Sequence, residues 1–125
     1  MFGFFKKAAK EPAGPDFSAV TSLDKAEEMR KNGQLEKLLM RPPELGGEDH
    51  FLNTLYVPVG VAAMKSRIDA GQIVPLVEAG KVTKFKASPE YQGDSVIPIA
   101  IKITASDPGQ FSWTINIWGE ALKRK

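Results

Sequence analysis

The stretches VIPIAIKITAS (residues 96–106) and FSWTINIW (111–118), joined across DPGQ, decide how this chain folds. Successive side chains of a strand point to opposite faces, so Ile97, Ile99, Ile101 and Ile103 share one side. Phe111, Trp113, Ile115 and Ile117 share one side of the next strand, and the Asp-Pro-Gly turn chemistry between the two reverses the chain. A ribbon this greasy on one side demands a cover, whereas the other side carries Val96, Pro98, Ala100, Lys102, Thr104, Ser112, Thr114, Asn116 and Trp118 and reads as solvated. Pro98 cannot donate to a ladder, which places it at an edge or a bulge. KVTKFKAS (81–88) precedes the pair as a third strand, with Phe85 toward the core and Lys84 and Lys86 toward water, and completes a C-terminal β-meander.

The cover is expected from VGVAAMKSRIDAGQIVPLVEAG, a helix over about 58–79. Val61, Met64 and Ile68 lie on one stripe, with Lys65, Arg67 and Asp69 elsewhere on the wheel. Pro75 would clash with the carbonyl of Gly71, four residues back, so a kink is expected there. Upstream, a short helix over 23–32 starts at Thr21 or Ser22, whose hydroxyl can accept a first-turn amide, and stops at Gly33. LEKLLMR (35–41) reads as a strand ended by Pro42-Pro43, with a helical turn as the alternative, and FLNTLYV (51–57) as a second strand closed by Pro58. The expected fold is therefore α+β: an antiparallel sheet of four to five strands with a C-terminal β-meander, one face covered by a long Pro-kinked helix, plus a short N-terminal helix.

A length of 125 residues fits one domain, and 42% hydrophobic with 26% charged residues is an ordinary globular composition. Residues 1–20, with Pro12, Gly14 and Pro15, read as a flexible basic and aromatic arm; 21–122 as the domain; and 123–125 as a basic tail. The net charge of +2 hides an asymmetry. Lys6, Lys7, Lys10, Lys123, Arg124 and Lys125 sit at the ends, leaving 11 basic residues against 15 acids in 11–122, a net of −4. A specific nucleic-acid binder concentrates its cations on the fold rather than in its tails, so none is expected. The N-terminus has too short an apolar run, placed ahead of its lysines, for a secretory signal, and no run is long enough to span a membrane, so a cytoplasmic location is expected. Phe2, Phe4 and Phe5 followed by Lys6 and Lys7 suit at most weak membrane contact by the arm.

The chain has no cysteine, which removes disulfides, thiolate nucleophiles and cysteine-ligated metals. Its single histidine, His50, follows Glu48 and Asp49, and an imidazole beside carboxylates is the raw material of general acid–base catalysis. No serine stands in a nucleophile-elbow setting, and one histidine without a second at ligand spacing is a poor metal site. A polar loop capping the next strand is the preferred reading of Glu48, Asp49 and His50, and no metal or cofactor is expected. GVAAMKS (60–66) opens a helix after a strand but lacks the glycines of a phosphate loop.

Tyr91, Asn116 and Trp118 fall where the alternation places the polar face or its rim, and exposed Trp and Tyr are enriched at binding hot spots. Packing of Trp118 under Ala121 and Leu122 or under the N-terminal arm is the alternative. The expected function is a small non-enzymatic protein-interaction domain, of adaptor, inhibitor or immunity type, whose polar sheet face meets a protein partner or a second copy. The element order α-β-β-α-β-β-β also resembles the cone-shaped nuclear-transport-factor-2-like folds. That resemblance implies a pocket between sheet and helices, and so an alternative role in small-molecule binding or modest catalysis using His50 and nearby carboxylates.

Overall fold

The computed structural model describes residues 15–124. Its elements run α1 (Leu23–Lys31), β1 (Leu35–Leu39), β2 (Thr54–Pro58), α2 (Val61–Ile68), a π-helical turn (Asp69–Ile73), α3 (Val74–Glu78), β3 (Val82–Glu90), β4 (Ala100–Pro108) and β5 (Gln110–Asn116). The protein is α+β with two antiparallel sheets, β1-β2 and β3-β4-β5. The expected sheet of four to five strands is thus divided into one of two strands and one of three. The shortening of the early strands goes with this division. Phe51–Asn53 forms a 3-10 turn rather than the start of a strand, and the first strand stops at Leu39, with Arg41 bonded instead to the side chain of Asn53.

Local chemistry accounts for the helices. Ser22 Oγ accepts the Lys25 amide at 3.1 Å, and Gly33, at a φ of 87°, lets the chain leave α1. Glu27 ties that helix to β2: Arg30 grips its carboxylate at 3.0 and 2.5 Å, and the Tyr56 hydroxyl donates to it at 2.6 Å. The start of α2 borrows its cap from β1, because Glu36 Oε2 accepts the amides of Gly60 (2.8 Å) and Ala62 (3.1 Å). The long helix expected over 58–79 is divided: the π-turn Asp69–Ile73, which contains Gly71, separates α2 from α3, and Pro75 stands in the first turn of α3. Ile73, at the end of the π-turn, is fully buried.

The facing of α2 departs from the sequence reading. Val61, Lys65, Ile68 and Asp69 are buried, while Met64 is exposed, so the buried stripe runs through Lys65 rather than Met64. The core of the larger sheet holds Ile97, Ile99, Ile101, Ile103, Ile115 and Ile117, all buried. Each such side chain contributes about 1.5–3 kcal/mol by leaving water. Burial stops short of the sheet's far edge, however: Phe111 is half-buried and Trp113 is 52% exposed.

Trp118, at 1% exposure, follows the packed reading against the N-terminal arm and not the exposed one. The amides of Ile117 (2.7 Å) and Trp118 (3.3 Å) both point to the Ile99 carbonyl, which is the geometry of a β-bulge. An extra residue there breaks the alternation, so Ile117 and Trp118 both turn inward. Trp118 donates from its indole nitrogen to the Ile97 carbonyl (3.1 Å) and meets Phe17 edge-on, ring centres 5.9 Å apart. Of the arm expected over residues 1–20, residues 1–14 lie outside the described residues, and its end is docked. The Val20 and Phe17 carbonyls accept the Val96 amide (2.9 Å) and the Ser95 hydroxyl (2.8 Å).

Candidate functional site

Cross-strand partners in an antiparallel sheet share a face. The register places Lys86, Thr104 and Ser112 in one row and Ser88, Lys102 and Thr114 in the next, with Lys84, Ser106 and Gln110 beyond them. Every residue in these rows is polar, and Lys84, Lys86, Lys102, Ser112 and Thr114 are exposed. The opposite face of the same strands carries Phe85, Ile101, Ile103, Trp113 and Ile115, so the period of two has sorted the ribbon as the sequence predicts.

Charge on the polar face is one-sided. Lys84 lies 3.3 Å from Asp107 in the neighbouring turn, with both side chains largely in water. Glu90, the acid that shares this face within β3, is held by both Nη atoms of Arg124 at 2.9 and 2.6 Å. That fork, charge-assisted and bidentate, draws the Glu90 carboxyl below its ordinary range. Lys86 and Lys102 have no ion pair among the described residues. The expected free tail 123–125 is correspondingly shorter, since Lys123 pairs with Glu120 at 3.6 Å and Arg124 with Glu90. Lys125 lies outside the described residues.

Of the three residues expected to form the binding rim, two are where the alternation placed them. Asn116 is exposed opposite Ala100, and Tyr91, exposed, follows Glu90 at the same end of the sheet. Trp118 is removed from that surface by the bulge. The exposed tryptophan is Trp113, at the margin of the apolar face.

Glu48, Asp49 and His50 form a surface loop. His50 Nδ1 accepts the Leu52 amide (3.1 Å), its ring stacks on Phe51 with centres 4.9 Å apart, and its carbonyl accepts the Thr54 hydroxyl (2.8 Å). The Glu48 carbonyl receives the Asn53 amide side chain at 3.0 Å. These bonds cap the 3-10 turn that leads into β2, and none of the three side chains borders the hollow beside Lys65 and Asp69. Among the described residues no group of three or more His, Cys, Asp or Glu is placed to hold a metal ion, and no helix is long and apolar enough to cross a membrane.

A second polar feature was missed by the hydrophobic stripe. Lys65 and Asp69, one turn apart on the helical run, are 2% and 4% exposed and hydrogen-bonded to each other. Burial disfavours both charges, pushing the Lys65 ammonium down and the Asp69 carboxyl up, and their mutual bond offsets part of each effect. The Lys65 ammonium also lies 5.6 Å from the centre of the Phe85 ring, with the Arg41 guanidinium at 5.4 Å from the same ring. Among the described residues Asp69 Oδ1, which is buried, has no hydrogen-bond partner. Beside the pair lies a hollow of about 230 Å³ bounded by Lys37, Pro42, Glu44 and Ala62. That is below the roughly 300–1,000 Å³ of ordinary ligand pockets. The signal available in the sequence was the Lys-x-x-x-Asp spacing, which reads equally as a solvated helix pair.

Comparison of the chain with family models, with curated proteins and with solved structures finds no match, so its functional reading rests on the geometry of these two sites.

Proposed function

We propose that the chain is a non-catalytic binding domain that docks an acidic protein surface on the polar face of β3-β4-β5. The observation that supports this reading is the imbalance of that face: Lys86 and Lys102 stand among hydroxyls and amides with no ion pair among the described residues, Lys84 meets only the water-exposed Asp107, and Glu90 is already occupied by Arg124. Complementary charge steers encounter and sets register, and the Ser, Thr and Asn side chains supply the hydrogen bonds of a polar interface. The register rows on this face hold no aromatic side chain on which a base would stack, which favours a protein over a single-stranded nucleic acid.

The test is capture from native extract by the full chain and by the Lys86→Glu/Lys102→Glu variant, across a salt series. Capture of a companion that weakens with salt and is lost in the variant, at an unchanged unfolding midpoint, supports the reading. A companion held equally by both proteins overturns it.

A second reading, a small-ligand site in the hollow beside α2, draws on the unpartnered Oδ1 of Asp69, since a ligand hydroxyl or amine there would satisfy it. It predicts that small polar compounds raise the unfolding midpoint of the native chain and leave that of Asp69→Asn unmoved.

A further inference from the structure

The two margins of the three-stranded sheet are built differently. Along β3 stand Lys84, Lys86 and Pro89, and Arg41 Nη2 donates to the outward carbonyl of Phe85 at 3.3 Å. Charge, proline and a capping side chain are the usual means by which an edge is kept from pairing with another chain. The edge strand β5, Gln110–Asn116, has none of them: QFSWTIN contains no charged residue and no proline.

Its main chain is available as well. The Asp107 amide bonds the Gly109 carbonyl (2.8 Å) and the Ile117 amide bonds the Ile99 carbonyl (2.7 Å). Those pairs continue the register of Phe111 with Ala105, Trp113 with Ile103 and Ile115 with Ile101. Bonded pairs recur at every second residue of an antiparallel ladder, so Phe111, Trp113 and Ile115 aim their main-chain groups at β4, whereas Ser112 and Thr114 aim theirs away from the sheet. Among the described residues no other element takes up those outward groups.

QFSWTIN is also a chemical palindrome about Trp113. Reversed against itself it matches Ser112 with Thr114, Phe111 with Ile115 and Gln110 with Asn116: hydroxyl with hydroxyl, apolar with apolar, amide with amide. A two-fold axis through Trp113 therefore pairs like with like at every position. It sets the outward main-chain groups of Ser112 against those of Thr114 in the other copy, and it brings the two exposed indoles together at the close-approach position of the ladder.

We propose that the outer edge of β5 pairs antiparallel with the same strand of a second copy of this chain, fusing two three-stranded sheets into one. The occupant is a copy of the chain because the strand is complementary to itself and carries no charge for a different partner to answer. The fusion is separate from the docking reading above: it makes the lysine face continuous across both copies but does not depend on what that face binds.

The experiment is sedimentation of the full chain over a concentration series, with amide hydrogen exchange at Ser112 and Thr114. A mass twice the 13.7 kDa of one chain, with both amides protected, is expected. Trp113→Lys, which places a charge on the axis, is expected to return the monomer mass and fast exchange at both amides with the far-ultraviolet spectrum and a cooperative unfolding transition retained. Thr114→Pro, which removes an outward amide that the monomer does not use, is expected to return the monomer mass and fast exchange at the Ser112 amide, and it stands in if Trp113→Lys does not fold. A monomer at every concentration overturns the proposal. So does a dimer that survives both variants, which would use another surface, and so does a monomer with Ser112 and Thr114 protected, whose edge would be covered by its own chain.

Discussion

Lys65 and the trio Lys84, Lys86 and Lys102 are the same residue in opposite settings. Lys65 is sealed beneath the helical run against Asp69 and the Phe85 ring, while the trio stands in water on a sheet face with little acid nearby. The difference separates what a cation does for a fold from what it does for a partner. A buried charge must be answered inside the protein, so its loss is felt by the whole domain. An exposed one is already answered by water, so its loss is felt only by whatever docks there.

The contrast is broken most directly at the buried pair. Lys65→Ala or Asp69→Ala leaves one charge buried alone, and each is expected to lower unfolding stability by about 3–5 kcal/mol in denaturant titration. Replacing both together, Lys65→Met with Asp69→Leu, removes the desolvation cost along with the attraction. That variant is expected to recover most of the loss, falling within about 2 kcal/mol of the native chain. If the double variant is as unstable as either single one, the pair has a role beyond mutual neutralisation, and the small-ligand reading of the hollow gains.

An intermediate effect is expected from Glu27, which sits between the two extremes. The Arg30 guanidinium and the Tyr56 hydroxyl hold its carboxyl down at about 2, from an ordinary 4.5. A carboxylate whose folded pKa is depressed contributes stability that is present above the unfolded value and is lost as pH falls toward the folded one. Unfolding midpoints measured from pH 5 down to pH 2 should therefore decline less steeply in Glu27→Gln than in the native chain. On the displayed side, Lys86→Glu with Lys102→Glu is expected to change stability by no more than about 0.5 kcal/mol per site while abolishing partner capture. The smallest effect should come from Arg124→Ala. It frees the exposed Glu90 carboxylate without a measurable midpoint shift, and by adding an unpaired negative charge to the lysine face it weakens capture slightly.

How much of this was readable beforehand differs from element to element. The greasy and polar sides of the ribbon from Ile101 to Asn116, the reversal at DPGQ, the Ser22 cap and the stop at Gly33 all depend on neighbours within a few residues, and these are found. The polar face that carries the candidate site belongs with them, because a period of two needs no knowledge of what lies across the strand. Residues 96–99, by contrast, lie outside the strand, and Pro98 and Ala100, expected on the polar side, are buried. Lys65 was misplaced because a helical wheel ranks positions by polarity, and a lysine that brings its own counter-ion one turn away escapes that ranking. Trp118 was misplaced because its facing was counted through a point where the count breaks.

What the amino-acid order determined by itself is therefore local: where the chain extends, coils and turns, and which side of each strand prefers water. The period and the turn residues act through the backbone they belong to. The tertiary structure alone decided which tryptophan is hidden, which side of α2 is inward, and how the strands divide into two sheets. Each of these depends on a group distant in sequence. The Ile99 carbonyl receives two successive amides at the bulge. The Phe85 ring lies beneath Lys65, and the Glu36 carboxylate caps α2 from β1. Contacts of that kind exist only once the chain has closed on itself.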